Sequence, residues 1–403
     1  MMRPSRRKEE YFMAASLFSR LTPQPVDPLL GLIAAFRADP RPDKIDLGVG
    51  VYRDETGRTP VLETVKAAER RLAETQKTKA YLGSEGNLGY AAALTRLVMG
   101  EKPAGPTRCV QTPGGTGALR LAMDAIARAK SGARVWVGTP TWPNHFALLA
   151  AAGLEACRYR YFDPATGTVC FDEMTDALGR AAPGDVVLVH GCCHNPSGAD
   201  LAPDQAKALA DLMAGRGLLP LIDLAYQGLG RDFDADGATM RLILDRCGEG
   251  LVAYSCDKNF ALYRERVGGL FVRTQKDATA DAVFSNLLSC ARSNWSMPPD
   301  HGAAVVETVL DDPELHAAWQ KEVTTMRGRI RELRAALAAL SPAFAPVAGQ
   351  NGMFSLLPVS PDQVAALQRN HGIYMAASGR INVAGFTKAN LAAFAAAYRD
   401  VTK

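Results

Sequence analysis

The chain has 403 residues, 47% of them hydrophobic and 22% charged, and a formal net charge of +4. That length and apolar content are enough for two domains. The charge is too slight to specify a nucleic-acid partner, and no stretch approaches the roughly 18 uninterrupted apolar residues of a membrane span.

The first residues carry Arg3, Arg6, Arg7 and Lys8, which read as a solvated tail, and they lack the apolar run of a secretory signal. An Arg-rich start leaves an organelle transit peptide open, and Met13 offers a second possible start. Eight cysteines match no zinc spacing and are few for a disulfide scaffold of this length, which fits reduced thiols in a cytoplasm. The run His190-Gly-Cys192-Cys193-His194 lacks the two intervening residues that let paired cysteines grip one ion, so no metal site is expected.

Residues 27–42 are helix-like and are expected to pack with the C-terminal part of the chain. At 111–125, QTPGGTGALRLAMDA, glycines lead into an amphipathic helix starting near Ala118, where free N–H groups and the positive helix end favour a phosphate. A Gly-rich turn alone is a weak signal, and no Gly-Lys-Ser/Thr follows it. The strand pattern VWVG at 135–138 leads to Trp142, either a core residue or a flat wall for an aromatic ring. VVLVH at 186–190 leads to the Asn195-Pro196 turn, where Asn195 either steadies the turn or reaches a phenolic oxygen. LLPLID at 218–223 ends in Asp223, a helix cap or a carboxylate that keeps a pyridine nitrogen protonated.

LVAYS at 251–255 runs into Lys258, a surface lysine or a catalytic amine, with Arg266 placed to meet a phosphate through its guanidinium fork. Helical patterns such as 205–216 separate these runs. The alternation predicts an α/β fold with a mainly parallel sheet wrapped by helices. Beyond about residue 310 the pattern changes to a long Arg-rich helix over 322–340, short segments MFSLL and RINVAGF, and a final helix over 388–398. This predicts a second, smaller α+β unit joined through a helix. Taken together, an amine, a ring-nitrogen acid, a phosphate cradle, a phenol-oxygen donor and a stacking face are the parts that pyridoxal 5'-phosphate (PLP) requires.

The blocks DLGVGVYRDETGRTPVL, YLGSEGNLGY, QTPGGTGALR, PTWPNH, HGCCHNPSGA, LIDLAYQG, KNFALYRERVGG, NWSMPP, GMFSLL and SGRINVAG follow one another from about residue 46 to 385. On these the chain resembles the class I, fold type I PLP-dependent aminotransferases, in the aspartate and aromatic amino-acid branch. In look it is closest to the bacterial aromatic enzymes. The resemblance implies a seven-stranded, mainly parallel sheet in a large domain at 50–320. A smaller domain would be built from 27–49 and 321–403, with 1–26 as an extension and arm. It implies that Lys258 forms the Schiff base and moves the proton, that Asp223 pairs with the pyridinium nitrogen, and that Tyr226 and Asn195 bind the phenolic oxygen. Trp142 would stack on the ring, and Gly115, Thr116, Ser255 and Arg266 would hold the phosphate. Tyr81 would reach that phosphate from the other subunit of a homodimer. Arg380, with Asn195 and Gly50 nearby, would clamp the substrate α-carboxylate, and Arg292 would meet a distal carboxylate across the subunit interface.

Several positions depart from the aspartate pattern. Gly114 replaces a serine, and Leu224 a small polar residue. Asp257 stands where serine is usual before the lysine, and is expected to point away because adjacent side chains diverge. Ala80 and Met297 replace asparagines and Arg53 a lysine. Losing two amides makes the surroundings of Arg292 less polar and eases entry of an aromatic side chain. The expected activity is therefore a broad ping-pong aminotransferase moving the amino group of tyrosine, phenylalanine or aspartate to 2-oxoglutarate. The alternatives are a narrow aspartate aminotransferase, another PLP chemistry on the same fold, which Arg380, Arg292 and Tyr226 argue against, and a non-catalytic PLP-binding regulator, which Lys258 argues against.

Overall fold

A computed structural model describes residues 17–23 and 28–403. The basic cluster at Arg3 to Lys8, Met13 and most of the expected arm lie outside the described residues. The central sheet has seven strands: β1 (Thr107–Pro113), β2 (Arg134–Thr139), β3 (Glu155–Arg160), β4 (Val186–His190), β5 (Leu219–Leu224), β6 (Gly250–Ser255) and β7 (Val267–Arg273). Their spatial order is β1-β7-β6-β5-β4-β2-β3, and only β7 runs antiparallel to its neighbours. Helices cover both faces, so the inner strands are apolar throughout rather than alternating. In β6, Val252 and Tyr254 enter one core while Leu251 and Ala253 enter the other.

The sequence pattern singles out β2, β4, β5 and β6 but not the other three. β3 is an edge strand, and its Glu-Ala-Cys-Arg-Tyr-Arg run is half exposed. β7 is wholly buried, but Gly268 and Gly269 break its apolar run. Gly268 is required there by close approach: a Cβ would lie 2.5 Å from the Gly114 carbonyl carbon and 2.6 Å from the Tyr254 oxygen. The helix expected near Ala118 instead begins at Gly114 and runs to Ala129. Gly114, with a left-handed φ of 71°, turns β1 into this helix without a loop, so the glycines are its first turn.

A third core gathers Ile45 and Leu47 with residues from Leu333 to Tyr398. The strand Ile45–Asp46 pairs in parallel with Ile373–Tyr374, and Phe354–Leu356 pairs with Arg380–Asn382. The helix Pro28–Ala38 is tied to this unit through Phe36, whose ring meets Tyr374 edge-on at 5.3 Å. The long helix expected over 322–340 spans Pro313–Ala338. Its start is set upstream of the Arg-rich stretch, by Pro313 at the first helical position and by Asp312, whose carboxylate accepts from the Glu314 and Leu315 N–H groups at 2.9 Å. This helix buries Trp319, Val323, Met326 and Ile330 in the sheet-side core, then Leu333 and Leu337 in the third core. The boundary expected at 320/321 falls inside it.

Candidate active site

In open α/β sheets ligands gather beyond the carboxyl ends of the parallel strands. A cavity of about 270 Å³ lies there, lined by residues that follow β2, β4, β5 and β6 and by the start of the helix after β1. Gly50, Gly115, Thr116, Trp142, Asn195, Asp223, Tyr226, Ser255, Lys258 and Arg380 all line it. Residues more than 300 positions apart in sequence thus meet at one surface.

Asp223 sits in β5 opposite His190 of β4 and is 7% exposed. His145 bridges it: Nε2 lies 3.0 Å from Asp223 Oδ2, and Nδ1 lies 2.8 Å from the Thr141 hydroxyl. With the hydroxyl donating to Nδ1 and the Nε2 proton donated to Asp223, both ring nitrogens of His145 are satisfied. Burial alone pushes the Asp223 carboxyl up. The His145 hydrogen bond, with smaller electrostatic contributions from His145, His190 and Lys258, outweighs it and holds Asp223 below the usual carboxylate range. His190 is itself pushed down to about 4 by burial.

Lys258 stands three residues past the end of β6. Its Nζ lies 5.6 Å from the centre of the Tyr226 ring and 3.8 Å from Asp257 Oδ2. Burial lowers its pKa, with Asp257 and Asp223 opposing. Burial likewise raises the Tyr226 phenol. Trp142 forms a side wall, with its ring edge-on to His145 at 5.3 Å. Arg380 donates through Nη2 to the Gly48 carbonyl at 2.8 Å and through Nη1 to Asn195 Oδ1 at 3.4 Å. Its Nε is buried without an acceptor, and its guanidinium lies 4.6 Å from the centre of the Phe354 ring. Burial lowers its pKa, against the influence of Tyr226. An arginine that lines a cavity and has N–H groups left over from these contacts is suited to a carboxylate.

Three predicted residues stand outside the lining. Arg266 lies against Gly114 at the helix start, and its Nη1 donates to Asp257 Oδ2 at 2.6 Å. Asp257 therefore does not point away, as adjacency to Lys258 had suggested. The chain turns beyond Ser255, whose hydroxyl accepts from the Asp257 N–H at 3.2 Å, and the carboxylate enters the same cavity. Tyr81 is 94% exposed. Arg292 lies exposed on the helix Asp277–Asn294 and donates to the Ser296 hydroxyl. Within this chain neither joins the cavity.

Residue-by-residue reading did not identify His145, His190, Leu29, Val49 or Phe354. His145 had one local signal, a Thr at i−4 entering a helix, but its partner Asp223 is 78 residues away. The others are apolar residues or a strand-end histidine, with no pattern to mark them.

The family model for aminotransferase class I and II matches residues 42–397. The chain is 53% identical over 390 residues to a tyrosine aminotransferase of Rhizobium meliloti, covering 96% of this chain and all of the relative. It is 45% identical over 386 residues to an aspartate aminotransferase of Escherichia coli, covering 93% and 98%. A solved aromatic-amino-acid aminotransferase from Burkholderia pseudomallei, described as covalently bound to pyridoxal phosphate, superposes with a TM-score of 0.93 at 41% identity, over 96% of this chain and all of that one. The chain belongs to the class I and II aminotransferases.

Proposed function

We propose that this chain moves the amino group of tyrosine, phenylalanine or aspartate to 2-oxoglutarate, using PLP held in the cavity beyond the sheet. The observation that carries the reading is the meeting of an amine, Lys258, a histidine-supported acid, Asp223, and an arginine with a free donor, Arg380, around one cavity. The donor set fits the cofactor. Asp223 suits a pyridine nitrogen, Tyr226 and Asn195 suit a phenolic oxygen, and Trp142 suits a ring face. A side chain at Gly115 would press on Ser255, with Cβ atoms 3.1 Å apart, so this backbone leaves room for phosphate oxygens beside Thr116, Ser255 and Arg266.

When bound, PLP supplies an electron sink for the substrate's α-carbon. The protein does the rest. Arg380, beside Gly50 and Asn195, binds and orients the α-carboxylate. Asp223, held by His145, keeps a positive charge at the ring nitrogen. Lys258, whose burial favours the free amine, takes the proton from the α-carbon and returns it as a general base and acid. Tyr226 and Trp142 fix the plane of the ring.

Broad specificity is supported by the apolar flank of Leu29, Val49 and Phe354 beside Arg380, and by relatives named for both tyrosine and aspartate. A homodimer with shared sites is supported by the exposure of Tyr81 and of Arg292, which would each serve the other subunit's cavity. The division into 27–49 with 321–403, and 50–320, is supported by the separate third core. The test is a half-reaction: phenylalanine added to cofactor-loaded protein without an acceptor should yield about one phenylpyruvate per site. Lys258→Ala should lower turnover by at least ~10³-fold. A variant retaining a substantial share of turnover would refute the role of Lys258.

A further inference from the structure

The phosphate end of the cavity already contains an anion of its own. Asp257 is 5% exposed, and its Oδ2 is shared between Arg266 Nη1 at 2.6 Å and Lys258 Nζ at 3.8 Å. Its Oδ1 is buried with no hydrogen-bond partner. The carboxylate thus draws on the same two cations that the proposed cofactor uses, Arg266 for the phosphate and Lys258 for the covalent link. No other carboxylate makes an ion pair with either cation among the described residues. Ser255, two residues before Asp257 on the cavity wall, already spends its hydroxyl as an acceptor for the Asp257 N–H.

Occupation of this end by a phosphate changes the balance. The phosphate takes Arg266, and linkage of Lys258 to the cofactor removes the ammonium charge. Asp257 is then a buried carboxylate beside a dianion, with both counter-charges withdrawn and one oxygen unpartnered from the outset. Like charges at this range repel, strongly where water is scarce. A neutral side chain at 257 would carry none of that cost.

We infer that Asp257 is a resident competitor for the cofactor's phosphate: it pairs with Arg266 and Lys258, and it makes the chain bind its cofactor less tightly than a neutral residue would. This inference rests on the proposed placement of PLP. The competition is read most directly with the aminated cofactor, which has no covalent bond to Lys258: there Asp257 keeps Lys258 and yields only Arg266, and binding depends on the phosphate and ring contacts alone. Release of the aminated form is therefore a built-in property of this chain.

The test uses cofactor-free full-length protein and two ligands, pyridoxamine 5'-phosphate and unphosphorylated pyridoxamine, with equilibrium affinity read by calorimetry or tryptophan fluorescence. Asp257→Asn keeps the shape and Asp257→Ser removes it, so one folded variant suffices. Both should bind pyridoxamine phosphate ~10-fold or more tightly than wild type, and should release it correspondingly more slowly. Affinity for unphosphorylated pyridoxamine should change by less than ~3-fold, because the competition is for the phosphate. Unchanged or weaker binding of pyridoxamine phosphate by the variants would overturn the inference and show that Asp257 supports Arg266 rather than competes for it. An equal gain for both ligands would also overturn it. Failure of wild type and variants to bind either ligand would instead overturn the cofactor placement, and the inference with it.

Discussion

The guanidinium of Arg380 has its donors divided: one spent on the Gly48 carbonyl, one reaching Asn195, and Nε buried without a partner. The guanidinium lines the cavity with N–H groups left over from these contacts, a planar donor set that lysine cannot reproduce. Arg380→Lys should therefore lower kcat/KM by ~30-fold or more for every amino-acid substrate alike, mainly through KM, since the α-carboxylate is common to all. A loss confined to one substrate class, measured by steady-state kinetics, would contradict the assignment. Asp223, Lys258, Asn195 and Trp142 were legible in the sequence because each follows an apolar strand pattern, where such folds present their ligands. Arg380 came only through resemblance, since its strand, Arg380–Asn382, has three residues and no pattern of its own. His145 and Asp257 act through partners brought together by the fold. Their types were visible, but the distances of 3.0 Å to Asp223 and 2.6 Å to Arg266 were not.

At the scale of elements, the helix Pro313–Ala338 links the sheet to the third core and also supports the segment that carries Lys258. The Trp319 ring stacks on Phe260 with centroids 4.3 Å apart, and its Nε1 donates to the Asn259 carbonyl at 2.8 Å. Both partners directly follow Lys258. Trp319→Ala should destabilise the chain by ~3–5 kcal/mol, as large-to-small core changes do, and the midpoint of urea unfolding measures it. A loss below ~1 kcal/mol would show that the stack is not a structural support. The helix was legible from its amphipathic half, while its start was set by Asp312 and Pro313 outside that pattern. Strands β1, β3 and β7 were the least legible for the opposite reason: edge exposure and close-packed glycines both erase the apolar run by which a buried strand is recognised.

For the whole molecule, buried histidines lower stability in acid, partly offset by Asp236, whose carboxyl is pushed up to about 6 by burial and so takes up its proton first in the folded chain. His190 is pushed down to about 4 by burial, and His194 lies well below its ordinary range for the same reason. The folded chain keeps both neutral, while the unfolded chain binds protons from about pH 6.5 downward. Their contribution is therefore full above pH 6.5 and is lost as pH falls from 6.5 towards 4, by at most ~3 kcal/mol for His190. Asp223, with its pKa lowered from 3.8, adds its loss only below that window. Unfolding free energy measured from pH 7 to 4.5 should respond to acid less unfavourably in His190→Asn than in the unsubstituted chain; identical pH dependence of the two would contradict this. No helix among the described residues is long and apolar enough to cross a membrane.

The proposed activity requires one cavity to take aromatic and dicarboxylic amino acids through the same Arg380. The most direct test is kcat/KM for phenylalanine, tyrosine and aspartate with 2-oxoglutarate as acceptor. The aromatic values should lie within ~10-fold of aspartate or above it, since the apolar lining residues Leu29, Val49 and Phe354 offset the cost of admitting a ring. A phenylalanine value about a thousandfold below that of aspartate would contradict the account and leave a narrow aspartate aminotransferase.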